Sequence, residues 1–399
     1  MLITKKIRLK PTTEQEILFR KSAGVSRWAY NFFLGENERI YREYIDNGKV
    51  GKKSISEGDV RKYINNILKP TTHSWLKEVG SNVMKQGVKD ASLALQRYFK
   101  GLSGKPKFKS KHKDRPSFYV NYESLSRKQG GFQGEKIGFV KTSEALPKLN
   151  KNEKYSNPRI TFDGKYWYLS VGYEVQESTV ELTDESLGID LGVKDLAICS
   201  NGKVYKNINK TQRVKKLEKK LKREQRKLSR KIENNIQSYK SNRNPIYKRP
   251  LKECQNIQKQ NRLIRNIHRK LANIRQNHLH QTTTEIVKTK PSRIVMESLN
   301  VSGMMKNKHL SKAVQQQGFY EFRRQIEYKA MWNNIPVVIA DRFFPSSKLC
   351  SCCGSIKKDL KLSDRIYKCE CGNVIDRDYQ AALNLKQYGE NVLKQQSVA

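Results

Sequence analysis

Apolar and basic residues alternate across Leu2–Leu9 (LITKKIRL), the period of a half-buried strand, and Pro11 ends the run. Thr13-x-x-Glu16 then has capping-box spacing for a helix start. Helical periodicity continues to about Lys100 and places Trp28, Tyr30, Phe32, Phe33, Tyr63, Ile64, Ile67 and Leu68 inward. Arg27, Arg39, Arg42 and Arg61 interleave with these aromatics. The same helices therefore offer either a basic face for nucleic acid or an ordinary solvated face around a bundle core. From Gly101 the texture changes: GLSGKPKFKSKHKDRPSF carries glycines, prolines and six Lys/Arg, which reads as a loop or edge strand laid on phosphates. Ser117–Tyr122 and Arg159–Val175 read as strands, with Asp163-Gly164 as a two-residue hairpin turn. Residues 101–178 thus form a small β-rich module joined to the strand in 1–12, with 13–100 as a helical insertion.

A second β segment spans Leu187–Tyr205, where Asn201-Gly202 between apolar runs marks a hairpin. Two polar helical arms follow, Thr211–Ile236 and Lys252–Lys288, broken near Asn244-Pro245. Val214, Leu217, Leu221 and Leu228 in the first arm, and Ile257, Ile264, Ile267, Leu271 and Ile274 in the second, keep 3/4/7 spacing. That pattern predicts an antiparallel helical hairpin over 211–288. Its Lys/Arg excess fits a nucleic-acid channel or an exposed coiled-coil face. Arg293–Met296 and Ile335–Ala340 read as buried strands with helical Val314–Trp332 between them. Tyr379–Gln387 forms a last helix, and 388–399 reads as a polar tail.

Charge narrows the function. The chain has 399 residues with 80 Lys+Arg against 38 Asp+Glu, a net charge of +42 that strains a compact state by self-repulsion. A polyanion is the expected partner, nucleic acid before an anionic membrane. No run of about 18 or more apolar residues exists, and MLITKKIRLKP lacks the apolar core of a signal peptide. A secreted or spanning protein is therefore not expected; a cytoplasmic one, with no membrane partner, is. The length allows two to four domains.

Five of the seven cysteines crowd into Cys350–Cys371, which favours metal ligation over disulfides. Cys350-Ser-Cys352-Cys353-Gly354 and Cys369-Glu-Cys371-Gly372 are two knuckles, each followed by glycine, across a 15-residue gap. Cys350, Cys353, Cys369 and Cys371 are assigned as ligands of a structural Zn²⁺, because four thiolates leave no position open for water. Cys352 can substitute for a neighbour, since the second knuckle is C-x-C. Cys199 and Cys254 read as ordinary small side chains.

Acids at strand ends give a second signal. Asp190 continues the apolar run Leu187-Gly-Ile, Glu297 follows Ile-Val-Met, and Asp376 and Asp378 precede the last helix. A charge that prolongs an apolar strand is costly unless paired or bound to a cation. Singly, each is an ordinary strand-end residue. Three converging would hold a pair of Mg²⁺ or Mn²⁺ ions about 3.5–4 Å apart and serve phosphodiester hydrolysis. The element order is compatible with an RNase H-like sheet.

GIDLGVKDLAICSNG, IVMESLNVSGM and KLCSCCGSIKKDLKLSDRIYKCECGNVIDRDYQAALNL resemble the three RuvC motifs and interrupting zinc ribbon of TnpB. This is the RNA-guided endonuclease family of IS200/IS605- and IS607-type transposons, related to compact type V CRISPR effectors. IRLKPTTEQE and GKPKFKSK near the N-terminus are similar to it too. The resemblance implies a multi-domain α/β protein with β-rich and helical modules. Its N-terminal wedge β-module (1–12 and 101–178) would carry a helical recognition insertion (13–100). Its RNase H-like (RuvC) nuclease domain would span 186–345, with the zinc ribbon at 346–372 and the third RuvC motif at 373–387. Asp190, Glu297 and Asp378 carry across as catalytic acids, Asp378 rather than Asp376 because Asp378-Tyr-Gln380-Ala-Ala fits the family's D-x-N-A-A frame. Gln380 stands where Asn is usual. The implied cofactors are a guide RNA from the transposon end, structural Zn²⁺ and catalytic Mg²⁺ or Mn²⁺. The implied partners are double-stranded target DNA and a transposase encoded nearby. Lys105, Lys107, Lys109 and Lys111 are the expected phosphate contacts. Two other readings stand beside this one: a catalytically silent RNA-guided DNA-binding repressor or transposition accessory factor, and a transposase acting on transposon ends. The family's silent members lack the acids; all three are present here.

Overall fold

A computed structural model describes all residues except 112, 151–152, 176–179, 362–363 and 397–399. The module boundary expected at Ser178 and the end of the expected tail lie outside the described residues. The chain divides into two compact units, Met1–Gln176 and Glu177–Ala399.

The first unit opens with β1 (Leu2–Lys10), α1 (Thr13–Asp46), α2 (Glu57–Tyr63) and α3 (Ser81–Phe99). The strands β2 (Ser117–Tyr119), β3 (Ser126–Lys128), β4 (Gly131–Gly134), β5 (Gly138–Thr142), β6 (Ser156–Phe162) and β7 (Trp167–Glu174) follow. Together with β1 they make a seven-stranded sheet in the order β2-β6-β7-β1-β5-β4-β3. The capping box sits one residue earlier than its sequence signature: Thr12 caps α1 and exchanges hydrogen bonds with Gln15. Phe19 packs edge-on against Trp167 at 5.2 Å and near Phe118 at 5.7 Å, tying α1 to the sheet. α3 crosses α1 closely, since a Cβ on Gly87 would lie 2.7 Å from the Ser26 carbonyl oxygen. Tyr30, Phe33 and Ile64 are buried as the periodicity predicts, and Trp28, Phe32 and Leu68 are partly buried. Tyr63 and Ile67 are exposed instead; Ile67 lies within the π-helical turn Ile64–Leu68, which breaks the 3.6-residue phase. Asp163–Tyr166, rather than two residues, turn β6 into β7.

The second unit is built on β8 (Ser186–Leu191), β9 (Asp195–Cys199), β10 (Val204–Lys206), α4 (Gln212–Glu233), β11 (Ile236–Tyr239), β12 (Pro245–Tyr247) and α5 (Gln255–Lys288). It continues with β13 (Arg293–Met296), α6 (Val301–Lys306), α7 (Ser311–Gln317), α8 (Phe319–Met331) and β14 (Val337–Ile339). It closes with β15 (Ile366–Lys368), β16 (Val374–Asp376) and α9 (Arg377–Gln396). A five-stranded sheet runs β10-β9-β8-β13-β14, with β8, β13 and β14 parallel and the β8–β9–β10 pairs antiparallel. Side chains alternate across it. Leu187, Ile189, Ile294 and Met296 face α5 and α8 in one core, and Val295 faces Leu385 of α9 in another.

The helical hairpin departs from a plain heptad pair. The first arm ends at Glu233, and a small β11–β12 hairpin occupies the break. Glu224 lies buried on α4 and accepts a 2.9 Å bond from Gln260 of α5. The single helix expected over Val314–Trp332 is two, α7 and α8, divided at Gly318 in the left-handed region (φ 68°). The expected polar tail is corrected: α9 continues to Gln396, and the Tyr388 ring packs tilted against Phe344 at 4.8 Å. Among the described residues no helix is long and apolar enough to cross a membrane.

Candidate functional site

Register brings two of the acids abreast. Ile189 of β8 pairs with Met296 of β13 in the parallel ladder, so the next residues, Asp190 and Glu297, stand side by side at the strands' C-terminal ends. Alternation points both toward the face on which α9 lies, because Gly188 and Val295 point there. The helix docks flush: a Cβ on Gly188 would sit 2.0 Å from the Ala382 carbonyl oxygen, and one on Gly389 would sit 2.5 Å from Val295 Cγ2. Only residues without a side chain allow that approach. It sets the first turn of α9, with Asp378, opposite the two strand acids.

The three carboxylates lie near enough to bear on one another's titration. Burial pushes Asp190 well above its ordinary pKa, and the charges of Glu297 and Asp378 push it further, with Arg377 pulling the other way. Burial likewise raises Glu297; the Ser346 hydroxyl, which donates a hydrogen bond to Glu297 Oε1, opposes this, and Asp378 adds to it. Asp378 is paired with Arg377 (3.0 Å) and Arg365 (3.5 Å). Asp376 has another task. Its Oδ1 accepts the backbone N–H groups of Asp378 and Tyr379 at 3.0 and 3.1 Å, capping α9. The three carboxylates are hard oxygen donors of the kind that hold a divalent cation, but their oxygens do not all lie within 4.8 Å of one another, and Asp378 is engaged by Arg365 and Arg377. Beside Glu297 a cavity of about 240 Å³ is lined by Leu191, Met296, Phe319, Tyr320 and Arg323 among others.

The cysteines meet differently. The ligand atoms of Cys350, Cys353, Cys369 and Cys371 all lie within 4.8 Å of one another, and no other set of three or more His, Cys, Asp or Glu among the described residues does so. Sγ–Sγ distances of 3.7 Å (Cys350–Cys371) and 3.6 Å (Cys353–Cys369) match the edge of about 3.8 Å expected of a tetrahedron with 2.3 Å bonds. Cys352 is exposed and outside the cluster. Gly354 (φ 73°) and Gly372 (φ 88°) turn the two knuckles in the left-handed region. Burial raises the Cys350 thiol, but the Cys353 N–H and the Asn373 amide outweigh it and bring it down to about 6. Four thiols in this arrangement suit Zn²⁺.

The four lysines part ways. Lys107 and Lys111 are exposed, and Lys105 is exposed but paired with Glu38 at 3.1 Å. Lys109 is turned inward: its ammonium sits 3.8 Å from the Tyr30 ring centre, and burial lowers its pKa. Its backbone is clamped by Asn31 through two bonds of 2.7 and 2.8 Å. Arg39, Arg42 and Arg61 are paired with acids on their own helices. Sequence reasoning passes over Gly188, Ser346, Arg365, Arg377 and Asn384. The one signal for them is position, since each lies within a few residues of an acid or a knuckle, or one helical turn beyond Gln380.

The fold is shared with a solved structure of Cas12f1 in complex with sgRNA and target DNA, at a TM-score of 0.55 and 15% identity, covering 97% of this chain and 98% of that one. The fold is therefore the mixed α/β architecture seen in that compact effector. Residues 170–308 match a family described as "Probable transposase", 319–385 the Cas12f1-like TNB domain, and 1–46 a helix-turn-helix domain. In this chain that last span folds as β1 and the single long helix α1. InsQ of Escherichia coli K12, named for RNA-guided DNA endonuclease activity, is 30% identical over 97% of this chain and 92% of its own. A protein of the same designation from Streptomyces pristinaespiralis is 27% identical over 96% and 88%. TnpB-like protein L770 of a mimivirus is 27% identical over 97% and 73%. The chain belongs to the TnpB family.

Proposed function

We propose that the chain is an RNA-guided DNA endonuclease of transposon origin, with a RuvC-like site made by Asp190, Glu297 and Asp378. The observation that carries the reading is the β8–β13 register, which sets Asp190 and Glu297 abreast on the face where α9 presents Asp378. The five-stranded order, with an antiparallel β8–β9–β10 ribbon followed by parallel β13 and β14, supports an RNase H-like sheet. Asp190, Glu297 and Asp378 would hold Mg²⁺ or Mn²⁺, which would supply water activation and Lewis acidity for phosphodiester hydrolysis. The chain's own contributions are positional. Gly188 seats α9, Asp376 caps it, and Arg365 and Arg377 hold Asp378 until its charge is used elsewhere. Cys350, Cys353, Cys369 and Cys371 hold a structural Zn²⁺ on this reading. Sequence specificity rests on base pairing with a guide RNA, and the +42 charge matches the phosphates of guide, heteroduplex and displaced strand. Lys105, Lys107 and Lys111 suit backbone contact; Lys109 serves the fold.

The test is cleavage of a plasmid that carries a guide-matched target beside randomised flanking sequence. The protein is reconstituted with the RNA that co-purifies with it. Cleavage should require both RNA and Mg²⁺, and Asp190→Ala should lower its rate by well over the ~100-fold typical of a lost outer partner. RNA and target binding should survive. Cleavage of transposon ends without RNA would instead establish the transposase reading, and binding without cleavage the silent repressor.

A further inference from the structure

Among the described residues, Glu297 is the only one of the three acids that takes a hydrogen bond from a neutral side chain. Its partner, Ser346, is 4% exposed and lies on the turn that leads into the first cysteine knuckle. That turn is anchored from α9. Asn384 donates from its amide to the carbonyl oxygens of Ser346 (2.6 Å) and Leu349 (2.7 Å). Gln380, one helical turn earlier, donates to the same Leu349 oxygen at 2.8 Å. Both amides are fully buried. The Gln380 side-chain oxygen accepts from Ser351 at 2.9 Å and from Asn373 at 3.3 Å, one residue from each knuckle. The Asn373 amide also reaches Cys350 Sγ at 3.5 Å. A continuous line of buried and half-buried hydrogen bonds thus runs from the thiol cluster through α9 to the carboxylate of Glu297.

We propose that Ser346 is a positioning residue for Glu297, and that the Gln380–Asn384 bracket makes the divalent-metal affinity of the acid site depend on the folded cysteine ribbon. Outer partners of metal ligands orient them, and their loss commonly weakens binding by about 10–100-fold. Buried amides left without acceptors are costly, so the bracket has one favoured arrangement and fixes the turn bearing Ser346. Gln380 at this place reaches both knuckles and Leu349 together. The inference rests on the reading of Glu297 as a metal ligand.

Mn²⁺ binding to the protein–RNA complex, followed by electron paramagnetic resonance, gives a readout independent of cleavage. Ser346→Ala should weaken Mn²⁺ binding by about 10–100-fold and raise the Mn²⁺ needed for half-maximal cleavage equally, with the rate at saturating metal largely restored. Ser346→Thr should recover most of the affinity. Gln380→Leu should weaken Mn²⁺ binding by a smaller factor with Zn²⁺ content unchanged, checked by metal analysis alongside the melting curve. Unchanged Mn²⁺ affinity in a folded Ser346→Ala protein overturns the proposal. Glu297→Gln separates the two claims: if it retains Mn²⁺ binding and cleavage, the assignment of the acid site fails, whatever Ser346 does.

Discussion

The acids and the thiols both lean on α9, yet they are assembled in opposite ways. The thiols come in two local pairs, Cys350 with Cys353 and Cys369 with Cys371, each shaped by a turn of a few residues. Their sulfurs already stand at tetrahedral spacing. The acids come from positions 190, 297 and 378, and are brought together only by strand pairing and helix docking. They meet as mutually repelling, partly buried charges, two with raised pKa values and one leaning on arginines. A site assembled locally can be closed and stabilising; a site assembled from distant elements stays open and carries a charge imbalance that an ion relieves.

The contrast can be tested on stability first. Cys350→Ser opens the closed set and should cost several kcal/mol, lowering Tm by about 2–4 °C for each kcal/mol in a unit of this size. Calorimetry would show it, and an unchanged Tm would erase the distinction. Gly188→Ala is the mirror experiment on the acids. Its Cβ collides with the Ala382 carbonyl, so α9 must shift, at about 1–3 kcal/mol, and cleavage should fall while bound Zn²⁺ is retained. Lost Zn²⁺ would mean that the two clusters do not separate. The smallest effect is a gain. Because Asp190 is raised above its ordinary 3.8 by burial and by Glu297 and Asp378, the folded state holds its proton more tightly than the unfolded chain. The penalty for ionising it in the fold is therefore full above its raised pKa, and is lost as the pH falls below 3.8. Asp190→Asn should raise the Tm of metal-free protein at neutral pH by a few degrees and remove the added stabilisation by Mg²⁺. A lower Tm for this variant would contradict the imbalance.

Much of this is legible where the signal is local. The alternation of Leu2–Leu9, the Asn201-Gly202 turn, the apolar strand before Glu297 and the cysteine spacing all read directly, because neighbouring residues decide them. What escapes is set by distant contact. The π-helical turn at Ile64–Leu68 rephases Ile67 outward. Lys109 looks like its exposed neighbours until Tyr30 covers it. The residues after Gln387 look polar, yet Gly389 and Tyr388 are packing positions, visible only once Val295 and Phe344 are in place. Gln380 reads as a departure from a motif; its meaning lies in Leu349, Ser351 and Asn373, which no spacing rule connects to it.

The placement of β1 bears on the order of events during synthesis. It pairs with β7 along its length, Leu2 opposite Glu174, and with β5 at its other end, Leu9 opposite Thr142. This strand is interior to its sheet, yet both of its partners are synthesised more than a hundred residues after it. Such long-range pairing slows folding and leaves a basic, half-apolar segment unpartnered meanwhile. α1 and α3 can form early from local contacts, but the first unit cannot close until translation has passed Glu174. The nascent chain thus exposes its cationic N-terminal strand for most of the time that unit is being made.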